Sequence, residues 1–155
     1  RVHITAAADY AVRAALILAA REAEGGPPVT ADELAEAQQL PRKFLDQVLG
    51  SLRRAGLVHS QRGAQGGYRL ALHASDISVA DVIRAVEGPM AHVRGLRPEM
   101  LDYEGEAVHL QSVWIAVRAS LRSVLENTSL ADVVNGTLPK HVQKLVDAPD
   151  SWEQH

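Results

Sequence analysis

Apolar positions recur along most of this chain at the spacing of helices rather than strands. Over residues 7–22, Tyr10, Ala14, Ile17, Leu18 and Arg21 fall at helical intervals, and Gly25-Gly26-Pro27-Pro28 ends the run. Thr30 is placed as an N-cap, and Glu33 three residues later completes a capping box for a short helix over residues 31–38. Leu40-Pro41 makes a tight turn. A proline costs nothing in the first turn of a helix, so a third helix begins at Pro41 and runs to Arg54. Its inward stripe is Phe44, Leu45, Val48, Leu49 and Leu52, which turns Arg42, Lys43, Asp46, Gln47 and Arg53 to solvent, and Gly56 ends it.

The period then shortens to two. Tyr68, Leu70 and Leu72 alternate with Arg69 and Ala71, predicting short strands over residues 57–60 and 68–72 joined through Gly63, Gly66 and Gly67, which let the backbone approach a ligand closely. Ser78 caps a fourth helix that reaches Val86 and stops at Gly88-Pro89, and residues 90–106 are irregular. The longest helix is predicted over residues 107–126. There Leu110, Val113, Val117, Leu121, Val124 and Leu125 repeat at near-heptad spacing with Trp114 beside the seam, which is more apolar surface than a terminal helix buries on so small a domain. A further short helix runs from Thr128-Ser129 to Val134, and the segment after Gly136 is polar, with the composition of a poorly ordered tail.

These elements predict a mainly α fold: a winged helix-turn-helix domain with a two-stranded wing, plus a long C-terminal dimerisation helix. The expected units are residues 1–88 for the winged domain, 89–106 for a linker or sensor loop, 107–136 for the dimerisation region and 137–155 for the polar tail. Composition agrees, since 46% of the 155 residues are apolar yet only 4% are aromatic, which suits helices packed through aliphatic stripes.

Net charge is −3, which by itself argues against a nucleic-acid partner, but the charge is uneven. Between Pro41 and Leu70 stand Arg42, Lys43, Arg53, Arg54, Arg62 and Arg69 against the single acid Asp46, and the excess of acid lies beyond His73. A basic face on an acidic body binds phosphates locally while limiting indiscriminate association. Arg62 at the hairpin tip suits a narrow minor groove, and the first exposed residues of the third helix suit base edges in the major groove. The residues expected at DNA are therefore Thr30, Arg42, Lys43, Asp46, Gln47, Arg53, Arg54, Arg62, Gly63, Gly66, Gly67 and Tyr68, and those expected at a twofold interface are Leu110, Val113, Trp114, Val117, Leu121, Val124 and Leu125.

Other chemistries find little support. The sequence contains no cysteine, which removes disulfides, thiolate catalysis and cysteine-ligated metal. His92 and His109, with Asp102, Glu104 and Glu106 near in sequence, lack the tight spacing of a ligand pair and are read as solvated loop residues rather than a metal site. The glycine-rich hairpin lacks the Lys-Ser/Thr ending of a phosphate-binding loop and precedes a strand, not a helix. No constellation predicts a hydrolase or transferase. Without a long apolar run or a signal-like N-terminus, the expected compartment is the cytoplasm. A rival reading is a ligand-sensing protein-interaction module on a winged-helix scaffold.

The chain also resembles the Rrf2 family of bacterial transcription regulators, of the IscR, NsrR and CymR type, over residues 2–136. The resemblance rests on Asp9-Tyr10-Ala11-Val12-Arg13-Ala14, on the run from Phe44 to Val58, on the Arg62-Gly63 to Tyr68-Arg69-Leu70 wing, on Ile77-Ser78-Val79-Ala80-Asp81-Val82-Ile83 and on Leu130-Ala131-Asp132-Val133. It implies a homodimeric repressor on a palindromic double-stranded operator, with Arg42, Lys43, Asp46 and Gln47 on the recognition helix and Arg62 with Gly63 in the minor groove. In family members that sense iron, nitric oxide or redox state, the resemblance places a third cysteine six residues before the tryptophan and sometimes a histidine three before it. Those positions here are Val108 and Gln111. The chain thus resembles the cysteine-free branch, with no cofactor expected and a small metabolite or a protein as effector.

Overall fold

Alanine decides the centre of the molecule. In the computed structural model, which describes residues 3–155, helix α1 (Ala6–Ala23) buries Ala8, Ala11, Ala14, Ala15, Leu18 and Ala19. Arg1 and Val2, at the start of the expected winged domain, lie outside the described residues. The small side chains let neighbouring helices approach closely. Around α1 pack α3 (Arg42–Arg54), β2 (Gly67–Leu70), α4 (Val79–Glu87) and α6 (Leu130–Asn135), with α2 (Ala31–Gln38) closing one side. Leu18, Leu34, Leu45, Leu49, Leu52, Ile77, Val82 and Leu130 are fully buried, and each contributes on the order of 1.5–3 kcal/mol by leaving water. The mainly helical fold with a two-stranded wing is the one expected.

β1 (Val58–Gln61) pairs antiparallel with β2, Val58 opposite Leu70 and Gln61 opposite Gly67. One more residue joins this sheet: Val29, just ahead of α2, donates its N–H to the Tyr68 carbonyl at 3.0 Å and accepts from the Tyr68 N–H at 2.7 Å. The contact requires glycine next to it. A Cβ on Gly67, whose φ is +149°, would lie 2.6 Å from the Val29 carbonyl oxygen, and one on Gly66 would lie 2.3 Å from that of Gln61. Both glycines serve the wing's own backbone packing.

Two helix N-termini of nearly identical sequence meet head to head. Ser78 with Asp81, and Ser129 with Asp132, form complete capping boxes on α4 and α6. The extended residues before each helix pair with one another: Val79 N–H donates to the Thr128 carbonyl and Leu130 N–H to that of Ile77, both at 2.9 Å. This joint anchors the end of α5 (Leu110–Leu125), along with the Arg84–Glu126 ion pair.

α5 itself buries no residue completely, and it rests on α4 and a 3₁₀ turn at Pro98–Met100. It begins three residues later than expected because Gly105–Ala107 coil into another 3₁₀ turn. The loop before it is less irregular than its composition suggests, since Val93 and Leu96 form a bridge around Arg94 and Gly95, both with positive φ as a two-residue hairpin turn demands. Beyond Gly136, where a poorly ordered tail was expected, Lys140–Asp147 form α7. Val142 is buried, and the His141 ring Nε2–H donates to the Ser123 carbonyl at 2.7 Å, which docks α7 on the second half of α5. Among the described residues no helix is long and apolar enough to cross a membrane.

Candidate nucleic-acid interface

The interface starts from the cap of α2. Thr30 N–H donates to Glu33 Oε2 at 2.7 Å and Glu33 N–H to the Thr30 hydroxyl at 3.1 Å, which completes the capping box. The Thr30 backbone N–H holds the Glu33 carboxyl below the ordinary range. α2 ends in Gln39, whose φ of +52° turns the chain sharply, and Leu40 is buried as the pivot. Pro41 then precedes α3 without any side-chain cap, which leaves the first turn of α3 suited to a phosphate oxygen.

α3 buries Leu45, Val48, Leu49 and Leu52 and exposes Arg42, Lys43, Asp46, Gln47, Arg53 and Arg54, one polar and largely basic face. One expectation fails here: Phe44 was assigned to the inward stripe, yet it is 50% exposed. Position 44 lies at the rim of the stripe centred on Leu45, Val48 and Leu52, and its ring rests against Tyr10 of α1 with centroids 6.1 Å apart. Ala55, Gly56 and Leu57 lead from α3 directly into the wing, which carries Arg62 and Gly63 exposed near its tip. Tyr68 is half-buried and Arg69 is spent on bracing, its Nη1 donating to the Gly26 carbonyl at 3.0 Å.

Two residues that the sequence reading passed over organise this face. Arg13 of α1 donates through Nη1 to the Gln38 carbonyl at the end of α2 (3.0 Å), pairs with Asp9 at 2.9 Å, and lies over the Tyr10 ring at 5.1 Å. The helix-turn-helix is thereby fastened to α1 at its turn. Asp32 on the first turn of α2 accepts from Arg42 Nε at 3.0 Å, while Asp46 accepts from Arg42 Nη1. No spacing rule connects Asp32 to Arg42, because the contact crosses between two helices.

The expected dimerisation residues divide. Val113 and Val117 are 51% and 39% exposed, whereas Leu110, Trp114, Leu121, Val124 and Leu125 are half-buried. The Trp114 indole donates to the Tyr103 hydroxyl at 3.1 Å. Gln111 turns inward and its amide donates to the carbonyls of Pro98, Glu99 and Leu101 at 3.2, 3.3 and 2.7 Å. Arg118 pairs with Glu99, whose carboxyl its own backbone N–H and then Arg118 hold below the ordinary range. His92 and His109 stand exposed, and no group of three His, Cys, Asp or Glu with a metal-binding arrangement exists among the described residues.

Residues 4–136 match a family model described as Rrf2, an iron-dependent transcriptional regulator. A Mycobacterium tuberculosis protein named as an HTH-type transcriptional regulator is 49% identical over 146 residues, covering 94% of this chain and 89% of the relative. The HTH-type transcriptional regulator CymR of Bacillus subtilis is 35% identical over 83% of this chain and 86% of its own. Its solved structure, titled as that of the global cysteine regulator of B. subtilis, superposes with a TM-score of 0.73 at 33% identity, over 88% of this chain and 99% of that one. The structure of T. potens IscR gives 0.68 at 34% identity, over 99% and 93%.

Arg13→Ala is expected to lower the unfolding free energy by about 1–2 kcal/mol in a urea titration, the worth of a hydrogen bond from a charged donor together with its ring contact. It should also weaken DNA binding, although Arg13 belongs to α1 and not to the exposed face. A destabilised variant with unaltered DNA affinity would show that α2 keeps its angle without this clasp.

Proposed function

Because the chain belongs to the Rrf2 family of transcriptional regulators, a family of regulators rather than enzymes, we propose that it works as a homodimer on a palindromic DNA operator and represses transcription there without an iron–sulfur cluster. The observation that carries this reading is a helix-turn-helix whose second helix shows a largely basic face to solvent and leads within three residues into an arginine-tipped wing. Such a pair reads a major groove and the minor groove beside it. Lys43, Arg53 and Arg54 supply salt-dependent phosphate contacts, and Arg42, Asp46, Gln47 and Arg62 discriminate sequence or groove shape.

The form of α5 supports dimerisation. A 16-residue helix without one buried residue, exposing Val113 and Val117, gains most by pairing with a second copy of itself. The units of this reading are the winged domain to residue 88, the loop 89–106, the dimerisation region 107–136 and the tail 137–155. Two winged domains related by a twofold axis then address half-sites about 34–36 Å apart. Occupying such a site excludes polymerase without requiring any further surface, which supports repression as the output, in the compartment where the DNA lies, the cytoplasm.

The family description names iron, and the residues present do not suit it. The sequence has no thiolate donor, Val108 is an exposed aliphatic side chain, and Gln111 spends its amide on three loop carbonyls. What Gln111 has left is a neutral amide oxygen, a hard donor unsuited to an iron–sulfur cluster. Hydrogen bonds hold in place the loop that a metal would otherwise order.

The test of this reading is a selection of bound genomic fragments with purified protein, followed by affinity against salt. An enriched inverted repeat with a steep negative salt slope is expected; no enrichment at any salt would leave the winged helix as a protein-interaction scaffold. On the enriched site, Arg62→Ala should cost about 1–3 kcal/mol, and most where the flanks are rich in A·T. An equal loss on every sequence would reduce Arg62 to a phosphate contact. Operator affinity should be the same with added ferrous iron as with a chelator, and a chelator-sensitive affinity would overturn the cluster-free reading.

A further inference from the structure

The first charged residue of the recognition helix does not project freely into solvent. Arg42 donates Nε to Asp32 on α2 at 3.0 Å and Nη1 to Asp46 one turn along α3, so two carboxylates from two helices flank one guanidinium. A side chain seeking only phosphate is poorly placed between two anions. The burial that would lower its pKa is outweighed by the hydrogen bonds to Asp46 and Asp32, which hold Arg42 above the ordinary arginine range.

We propose that Asp32 and Asp46 are positioning residues that buttress Arg42 for one guanine in the major groove, and so convert a general phosphate binder into a base reader. The inference rests on the DNA-binding reading above and adds a residue to it, Asp32. A guanidinium has five N–H donors. Two are engaged, which leaves three: both on Nη2 and the second on Nη1. Adjacent Nη1 and Nη2 donors form the end-on edge that pairs in parallel with O6 and N7 of guanine. That edge is open to guanine when Asp46 takes the Nη1 hydrogen that points back toward Cδ and Asp32 the Nε hydrogen, which is the arrangement the proposal requires. The carboxylates also stop the long side chain from sampling its other rotamers, so less freedom is lost when the base is met.

The same two charges set the cost of error. Where the base opposite is not guanine, Arg42 cannot turn to a neighbouring phosphate without leaving Asp32 and Asp46 unpaired against the DNA backbone. Like-charge juxtaposition of this kind discriminates against wrong partners more than it adds affinity for the right one. Asp32 also faces the positive end of α2, a local reason for an acid there. That purely structural role would leave base preference untouched, which is what the experiment reads.

Affinities of the wild type, Asp32→Asn, Asp46→Asn, Arg42→Lys and Arg42→Ala are measured on the selected operator, on its single base-pair substitutions and on non-operator DNA, with urea unfolding of each variant as control. The wild type should prefer one G·C pair by about ten- to hundred-fold over its substitutions. Arg42→Lys, which has no paired edge, and Arg42→Ala should abolish that preference alone. Each asparagine variant should flatten it while binding non-operator DNA more tightly than the wild type, because an anion beside the phosphates is gone. If the asparagine variants lose affinity equally on every sequence, or keep the full preference, the buttress is wrong although the operator reading stands. Should Arg42→Ala shift no single position, Arg42 is a strut between α2 and α3. A wild type that selects no operator overturns both readings together.

Discussion

The orientation of the recognition helix depends on one guanidinium at the turn of the helix-turn-helix. Arg13 reaches from the first helix to the Gln38 carbonyl, where α2 ends and the chain reverses through Gln39. Its ion pair with Asp9 is a partly exposed i,i+4 contact that by itself is worth at most about 1 kcal/mol. The carbonyl bond and the stacking on Tyr10 matter more, since they fix a direction as well as an energy. The Arg13 Nε is buried without a partner among the described residues, which sets the worth of the clasp below the sum of its contacts. Tyr10 in turn meets Phe44 on α3, so the Asp9-Tyr10-Arg13 triplet on α1 reaches both helices that it must align.

The wing is tied to the same frame by backbone pairing, braced by the Arg69 side chain on the Gly26 carbonyl. Because Val29 pairs with Tyr68, the strand that carries the wing and the residue that precedes the cap of α2 are neighbours in one small sheet. Gly67 is the condition of that approach, as any Cβ there would collide with the Val29 carbonyl. The wing therefore cannot change its distance from the start of α2 without breaking backbone hydrogen bonds. An arginine at the wing tip is useful in a minor groove only if its offset from the recognition helix matches that of the grooves.

What was legible in the sequence was whatever local rules govern. The Thr30–Glu33 box, the inward stripe Leu45, Val48, Leu49 and Leu52, the glycine-rich hairpin and the short helix after Ser129 all follow from spacing and capping, and all stand where spacing puts them. What was not legible depends on contacts between elements. Phe44 fits the helical period as well as its neighbours do, and only the position of Tyr10 shows that it sits at the rim. Asp32 and Arg42 are ten residues apart on different helices, and Arg13 looks like an ordinary exposed-face arginine until α2 is folded against it. α7 was missed because its apolar positions, Val142, Leu145 and Val146, are few, and the His141–Ser123 contact that holds it to α5 crosses between elements.

The way α5 is held bears on how any signal can reach the DNA-binding face. At its far end the helix is joined to the winged domain through the paired caps at Ser78 and Ser129 and through Arg84 with Glu126; at its near end Gln111 and Arg118 grip Pro98, Glu99 and Leu101. Between these grips Leu121, Val124 and Leu125 are half-buried while Val117 is exposed, so the middle of the helix packs by one side only. An effector has differential affinity for two states only if it contacts something that differs between them, and the elements able to differ are the two grips. The paired caps lead directly into α4, which packs on both α1 and α3, while the turn at Pro98–Met100 packs on α5. The Ser78–Ser129 joint therefore ties the far end of α5 to α4, which packs on α1 and α3, while Gln111 fixes its near end to the loop.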